Sequence, residues 1–508
     1  MYLINILVND CVTKTSTDVD DFDMRLIKKV LDGIISPLTY IFNLSFQTGI
    51  FPTKMKVAKV VPLFKNGDTH EFTNYRPISI LPQLSKILEK LFNNRLDNFI
   101  NKHKLLYDSQ YGFRKNHSTA FALTESVEII TDAIDHKQHS IGIFIDLKKA
   151  FDTVNHDILI AKLERYGIRG VALQWVKSYL HKRSQYVKMG DNTSTSLDIV
   201  CGVPQGSVLG PKLFILYIND ICKVSNILKL ILFADDTNIF CSGTNLNQLV
   251  ETVNHEMAKL HVWFNINKLS LNLEKTKYML YGKKGCNNST NIQVNGVNIE
   301  RVHENKVLGV IIDDMLSWKP HIRQLKRKLA RSVSILWKAQ KILNQKALHL
   351  LYCALVSPHL QYCAEVWGHT YKGSTQPLLI LQKRALRILH YANYRAHTNQ
   401  LFIESRILKP YDLINYRTLQ MMYKAANKSL PHNLQILFLD REERHNLRGN
   451  MIFRQSKVRT TLKSFSLSVK GVKQWNVLED VKKSATLRGL KKKYVHSIVD
   501  QYRSILEG

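Results

Sequence analysis

Leu228-Lys229-Leu230-Ile231-Leu232-Phe233-Ala234-Asp235-Asp236-Thr237-Asn238-Ile239-Phe240-Cys241 sets two acids between two apolar runs. Two short apolar runs around a polar turn predict a β-hairpin. Upstream, Ser140–Ile145 reads as a further strand, and it ends on Asp146. Carboxylates at the ends of buried strands are costly unless something compensates them. Brought together they repel, and a divalent cation relieves the repulsion. Oxygen-only ligands with water select Mg2+ over zinc. Two such ions about 3.5–4 Å apart can activate a hydroxyl and stabilise a leaving pyrophosphate. Most acid pairs are solvated turns, and Asp20-Asp21 and Asp313-Asp314 are read that way.

Around this centre the chain has 508 residues, too many for one core, which implies two to four domains. Hydrophobic residues at 45% and charged residues at 22% exclude a largely disordered chain. Lys and Arg number 72 against 41 Asp and Glu, a net charge of +31. Such an excess repels itself unless a polyanion compensates it, so nucleic acid is the expected partner. A basic ribosomal or membrane-surface protein is the rival class. The excess is uneven: residues 319–508 hold 35 basic and 10 acidic side chains, a net +25. That split predicts a catalytic body followed by a region that holds nucleic acid.

Seven cysteines, at 11, 201, 222, 241, 286, 353 and 363, form no CxxC pair and no zinc spacing, which fits a reducing compartment. No apolar run is long enough to span a membrane. Val57–Phe64 is an apolar run closed by an Asn66-Gly67 turn. Leu84, Ile87, Leu88, Leu91, Phe92, Leu96, Phe99 and Ile100 repeat at helical spacing. After Trp318, Ile322, Leu325, Leu329, Val333, Leu336 and Trp337 make one apolar helix face, with Arg323, Lys326, Arg327, Lys328 and Arg331 around the rest. Residues 1–35, with acids at Asp18, Asp20, Asp21 and Asp23, are atypical. Arg441–Lys493 is basic with weak periodicity, and reads as a small domain or a partly ordered tail.

Phe144-Ile145-Asp146-Leu147-Lys148-Lys149-Ala150-Phe151-Asp152 resembles the first carboxylate motif of reverse transcriptases. Gly202-Val203-Pro204-Gln205-Gly206-Ser207-Val208-Leu209-Gly210-Pro211 resembles their template- and nucleotide-positioning loop, and Phe233-Ala234-Asp235-Asp236 their catalytic hairpin. Upstream, Asn74-Tyr75-Arg76-Pro77-Ile78-Ser79 and Gln110-Tyr111-Gly112-Phe113-Arg114 resemble fingers motifs. Downstream, Leu271-Asn272-Leu273-Glu274-Lys275-Thr276-Lys277 and Val307-Leu308-Gly309-Val310 resemble the last palm motif and the primer grip. Seven motifs in order make coincidence very improbable. The resemblance is to non-LTR, LINE-type retrotransposon reverse transcriptases, nearest to jockey-like elements. It is strong over residues 36–320 and looser to the end.

The resemblance implies an α+β right-hand polymerase: fingers, a palm with an antiparallel sheet, a helical thumb, then a mostly helical basic C-terminal region. Its expected divisions are a lead-in at 1–45, fingers and palm at 46–317, a thumb-like region at 318–400 and the basic region at 401–508. Asp146, Asp235 and Asp236 would be the catalytic triad, with two Mg2+ ions as cofactor. Asp146 can reach the hairpin only if its strand is central in the sheet. Lys65 and Arg76 would hold the triphosphate. Phe151, five residues after Asp146, would lie beneath the incoming sugar and exclude a 2′-hydroxyl. Gln205 and Gly206 would sit beside the nascent base pair, and Lys275 would protonate the departing pyrophosphate. Read alone, Phe151 is a core ring, Lys65, Arg76 and Lys275 are surface cations, and Pro204-Gln205-Gly206 is a turn.

The implied function is RNA-directed DNA synthesis from dNTPs, with template RNA and a DNA primer or RNA–DNA hybrid as partners, no membrane, and work in nucleus and cytoplasm. The alternative is an inactive or domesticated copy that binds RNA without copying it. A group II intron-type polymerase is a further rival with a different motif style. The fingers motifs begin near residue 50, so the endonuclease common in such elements is expected to come from elsewhere, and the chain to be a truncated copy or partial gene reading.

Overall fold

The computed structural model describes residues 1–13, 17–282, 291–438, 453–478, 484 and 486–507. The amino-terminal stretch is built into the body. Helix α1 (Tyr2–Asn9) packs on α2 (Met24–Thr48). Asp23 caps α2 by accepting from the Leu26 N–H at 2.8 Å, and Gly49 ends it in the left-handed region. Asp18 is buried and accepts the Asp20, Phe22 and Gln83 backbone N–H groups. Asp20 and Asp21 are exposed, as a solvated turn should be.

The fingers hairpin is β1 (Val57–Phe64) and β2 (Tyr75–Ile80), antiparallel with Leu63 opposite Arg76. The predicted amphipathic helix is α3 (Gln83–Lys102). Then come α4 (Thr119–Asp135), β3 (His139–Ile145), α5 (His156–Arg165) and α6 (Gly170–Leu180). β4 (Arg183–Met189) pairs parallel with β1 and carries the short β5 (Asn192–Thr193) and β6 (Leu197–Ile199). Helix α7 (Gly210–Ile218) leads to β7 (Lys229–Phe233) and β8 (Asp236–Gly243), the predicted hairpin. After α8 (Leu246–Ile266) and β9 (Lys277–Tyr281), the small strands β10 (Gln293–Val294), β11 (Val297–Asn298) and β12 (Glu300–Arg301) precede a hairpin of β13 (Glu304–Val307) and β14 (Val310–Asp313).

The central sheet runs β12-β9-β3-β8-β7, antiparallel throughout except for the β12–β9 pair. β3 is therefore interior, as the position of Asp146 required. Its residues alternate between two cores, as the period of a strand demands. Ile141, Ile143 and Ile145 join α1–α3 and α5–α8 on one face, whereas Phe144 joins α4, the β13–β14 hairpin and the helices beyond on the other. At Gly142 a Cβ would stand 3.1 Å from both the Phe240 and the Tyr281 rings, so those aromatics close over the strand.

Beyond Trp318 the chain is helical. The basic amphipathic helix is α9 (Lys319–Ala339), and its Arg323, Lys326, Arg327, Lys328 and Arg331 are exposed, as is Trp337, which lies off the buried face with Lys341 over its ring. α10 (Gln345–Leu355), α11 (Ser357–Gln361), α12 (Ala364–Trp367), α13 (Lys372–Leu389), α14 (Asn399–Ser405), α15 (Pro410–Ala426), α16 (His432–Gln435), α17 (Thr461–Ser464), α18 (Val472–Val477) and α19 (Leu487–Glu507) follow. One apolar cluster joins Phe121 and Ile130 of α4 to Leu325 of α9, Trp475 and Tyr494. Asp135 of α4 accepts the Arg459 and Thr460 N–H groups, and buried Glu128 takes Lys463 at 2.5 Å and the Ser468 N–H at 2.8 Å. Where it is described, the Arg441–Lys493 stretch is thus fastened to the palm, while its residues 441–452, 479–483 and 485 lie outside the described residues.

Asp313 corrects the reading of Asp313-Asp314 as a solvated turn. It is 6% exposed, and its two oxygens accept the Ser317 and Trp318 N–H groups at 2.9 Å each. Leu316 and Trp318 both have positive φ there, so the turn into α9 needs this carboxylate to hold it.

Candidate active site

Asp146 leaves the end of β3 where the strand meets the loop before β9. The Asn272 side-chain amide donates to its carboxylate at 3.0 Å, and the Asn272 backbone N–H donates to its carbonyl at 2.8 Å. Next door on the same sheet, Ala234 and Asp235 form the two-residue turn between β7 and β8. Ala234 has φ +58°, the left-handed conformation such tight hairpins use. The Ala234 N–H donates to the Gln110 side-chain oxygen at 3.3 Å.

The three carboxylates feel one another. Burial raises the Asp235 pKa first, and the Asp146 charge adds to the rise, while the Arg76 guanidinium opposes it. Asp236 is pushed up to about 6 by desolvation and then by Asp235 and Asp146. Its surface is exposed, yet enough protein stands around it for desolvation to be the larger cause, with the charges of the two acids adding to it. Among the described residues no three His, Cys, Asp or Glu side chains close a metal cage by themselves. The donor set nonetheless fits a hard divalent cation: three mutually repelling carboxylates, oxygen donors only, open to water.

Arg76 lies on β2 and is exposed, and its charge acts on Asp235. Lys65 follows β1 directly and is also exposed, its N–H bonded to the Asn74 carbonyl at 2.9 Å. The two cations therefore share the fingers hairpin. Phe151 is half-buried, with its ring centroid 4.6 Å from that of Phe214 in a stacked pair and edge-on to Phe113 at 6.2 Å. Lys275 is exposed just after the loop that grips Asp146, and the structure gives it no contact to the triad.

The Gln205 side-chain amide donates to Asp152 at 2.8 Å, so the residue after Phe151 orients it. Burial raises the Asp152 pKa, and the Gln205 bond opposes the rise. Gly206 does allow a close approach, but what approaches is the Ser79 carbonyl, 2.3 Å from where a Cβ would stand. The Ser79 N–H also donates to the Gln205 carbonyl at 2.8 Å, so this loop is joined to β2 of the fingers. Behind it, fully buried Glu89 of α3 accepts the Val208 and Leu209 N–H groups at 2.8 and 3.1 Å, and with them fixes the start of α7. Burial raises the Glu89 pKa against the opposing charge of buried Arg183.

The structure thus brings Asp146 into electrostatic range of Asp235 and Asp236, with Arg76 acting on Asp235, and joins the turns of Phe151 and Gln205 through the Gln205–Asp152 bond. Asn272, Gln110 and Asp152 stand within the motifs quoted above without a role assigned to them, and Glu89 lies outside those motifs. A polar residue at an otherwise apolar helix position, as Glu89 is in α3, was the one available signal.

Residues 64–312 match the family described as reverse transcriptase (RNA-dependent DNA polymerase). The chain is similar to the probable RNA-directed DNA polymerase from transposon BS of Drosophila melanogaster, 30% identical over 394 residues, which are 74% of this chain and 43% of that protein. It is 28% identical over 408 residues to the RNA-directed DNA polymerase from mobile element jockey of the same organism, covering 78% and 44%. A retrovirus-related Pol polyprotein from the type-1 retrotransposable element R1 of Bradysia coprophila is 26% identical over 394 residues, covering 76% and 38%. The chain spans less than half the length of these relatives.

Proposed function

We propose, for a chain that belongs through residues 64–312 to the reverse transcriptase (RNA-dependent DNA polymerase) family, that it copies RNA into DNA from dNTPs for a non-LTR retrotransposon. The observation that carries this reading is the register of interior β3 on β8, with Ile145 opposite Thr237, which sets Asp146 beside the Asp235–Asp236 turn, while Arg76 of β2 acts on Asp235.

Asp146 and Asp235 would hold two Mg2+ ions, with Asp236 supporting them, and the ions would favour deprotonation of the primer hydroxyl and offset charge on the pyrophosphate. The chain's own groups do the positioning. Arg76 meets phosphate oxygens with a planar fork of donors, and Lys65 adds a point charge beside it. Phe151, braced on Phe214, walls the sugar position. Gln205, oriented by Asp152, lines the nascent pair, and Gly206 keeps that loop against β2. Lys275 is the candidate proton donor to the leaving pyrophosphate. The exposed cations of α9 would track the backbone of the RNA–DNA duplex.

Primer extension on poly(rA)/oligo(dT) with Mg2+ tests the proposal. Wild type should incorporate dTTP, and Asp235→Asn should not, while both retain the duplex. Equal duplex binding with no wild-type extension would establish a binding protein instead.

A further inference from the structure

The catalytic turn is held from outside its own hairpin. Ser109–Gly112 runs beside β7: the Leu232 N–H donates to the Ser109 carbonyl at 2.9 Å, and the Tyr111 N–H donates to the Leu232 carbonyl at 2.8 Å. Between those two bonds sits Gln110, entirely buried. Its side-chain oxygen accepts two backbone N–H groups, from Gly112 at 2.8 Å and from Ala234 at 3.3 Å. A carbonyl oxygen has two lone pairs, so both bonds can form at once. Gly112 lets the segments touch, because a Cβ there would stand 2.3 Å from the Ala234 nitrogen.

We propose that Gln110 is a positioning residue for the catalytic turn: by holding the Ala234 N–H it keeps Ala234 left-handed and so aims the Asp235 carboxylate at the metals. The proposal rests on the polymerase reading given above. Alanine rarely adopts φ near +58° by itself, so something must hold it there. Gln110 is in turn fixed by its neighbours. Ser109 and Tyr111 donate to Glu125 of α4 at 2.7 and 2.5 Å, and Asn433 donates to Ser109 Oγ at 2.5 Å and to Glu125 at 3.1 Å. The Gln110 amide nitrogen has no hydrogen-bond partner among the described residues, so the oxygen alone carries the role.

The test uses the full chain with an RNA–DNA primer-template. Gln110→Leu removes the acceptor at similar volume. It should slow extension about 10- to 100-fold and raise the Mg2+ concentration for half activity several-fold, with the KM for dNTP nearly constant, as expected for a displaced catalytic group. Hydrogen exchange at Ala234 should quicken about tenfold or more while the α3 and α8 amides keep their protection. Gln110→Glu keeps an acceptor oxygen and should restore Ala234 protection. Introducing Ala234→Gly, which tolerates the left-handed turn unaided, should shrink the effect of Gln110→Leu. If Gln110→Leu leaves Ala234 exchange and the Mg2+ requirement at wild-type values, or Gln110→Glu fails as badly, Gln110 is core packing and the proposal is overturned. Should Gln110→Leu not fold, Ala234 exchange in Gln110→Glu decides: wild-type protection supports the clamp and fast exchange overturns it. A wild-type chain that cannot extend would sink the polymerase reading instead, and the exchange data would still report on the clamp.

Discussion

Asn272 grips Asp146 twice, from its side chain to the carboxylate at 3.0 Å and from its backbone to the carbonyl at 2.8 Å. The loop before β9 therefore sets both the position and the rotamer of the first acid of the proposed triad. A hydrogen bond to a charged group contributes about 1.5–3 kcal/mol, or roughly 10- to 150-fold in rate if it is needed in the transition state. Asn272→Ala should slow extension by a factor in that range and raise the Mg2+ requirement, with duplex affinity unchanged. Metal titrations of single-turnover extension measure this, and wild-type behaviour would show that the bond only decorates the loop.

The raised pKa of Asp236, about 6 against the ordinary 3.8 of an aspartate, gives a pH dependence with a definite sign. An acid whose folded pKa is raised binds more protons folded than unfolded between those values. Without metal, its contribution to stability should fall as pH rises from about 4 to 6. A cation competes with that proton, so the Mg2+ concentration for half activity should climb up to about tenfold per pH unit below 6 if one proton is displaced. Asp236→Asn should flatten this slope. Extension assays at pH 5 to 8 across a metal series check it, and an unchanged slope in the variant would assign the titration to another group.

Phe151 stacks on Phe214 and meets Phe113 edge-on, so its ring is braced on two sides. A braced ring makes a firmer steric wall than a free one. Overpacking costs about 1–3 kcal/mol, roughly 5- to 150-fold in rate. Phe151→Val should raise UTP over dTTP incorporation on an rA template by a factor in that range, with metal dependence unchanged. The ratio of the two kcat/KM values is the readout, and an unaltered ratio would return Phe151 to the core.

Lys463 reaches Glu128 at 2.5 Å and Asp132 at 2.7 Å, and both Lys463 and Glu128 are nearly buried. Removing one partner of a buried pair typically costs about 3–5 kcal/mol. Lys463→Met should lower unfolding stability by that order, and pairing it with Glu128→Gln should recover part of the loss. Urea unfolding measures it, and a change within about 1 kcal/mol would show the brace to be dispensable.

The chemistry was more legible than its support. The β7–β8 hairpin, the interior β3 and the amphipathic α3 and α9 followed from apolar spacing, because each pattern is local. The acids could be picked out because charge at the ends of apolar strands is anomalous. Gln110 and Asn272 could not be given roles, since their partners lie 124 and 126 residues away. Asp313 looked solvated because a pair of acids in sequence does not show that two backbone N–H groups point at one of them. Residues 453–478 looked weakly patterned because they fold as short turns and helices, including one π-helical turn at Leu467–Gly471, laid against α4 rather than as one long amphipathic element.

The grip of Arg459, Thr460 and Lys463 on α4 joins groups 324 to 335 residues apart. A ribosome adds roughly 5–20 residues per second, so α4 emerges about 16 to 65 seconds before the segment that covers it. During that interval the acids Glu128, Asp132 and Asp135 wait without those partners, although α4 already meets β3, β7 and β8 of the central sheet. A chain interrupted late in synthesis would carry every acid of the proposed triad and still leave Glu128 and Asp135 unpartnered. A nascent-chain chaperone would then protect the proposed active centre by shielding α4, which ends eleven residues before Asp146.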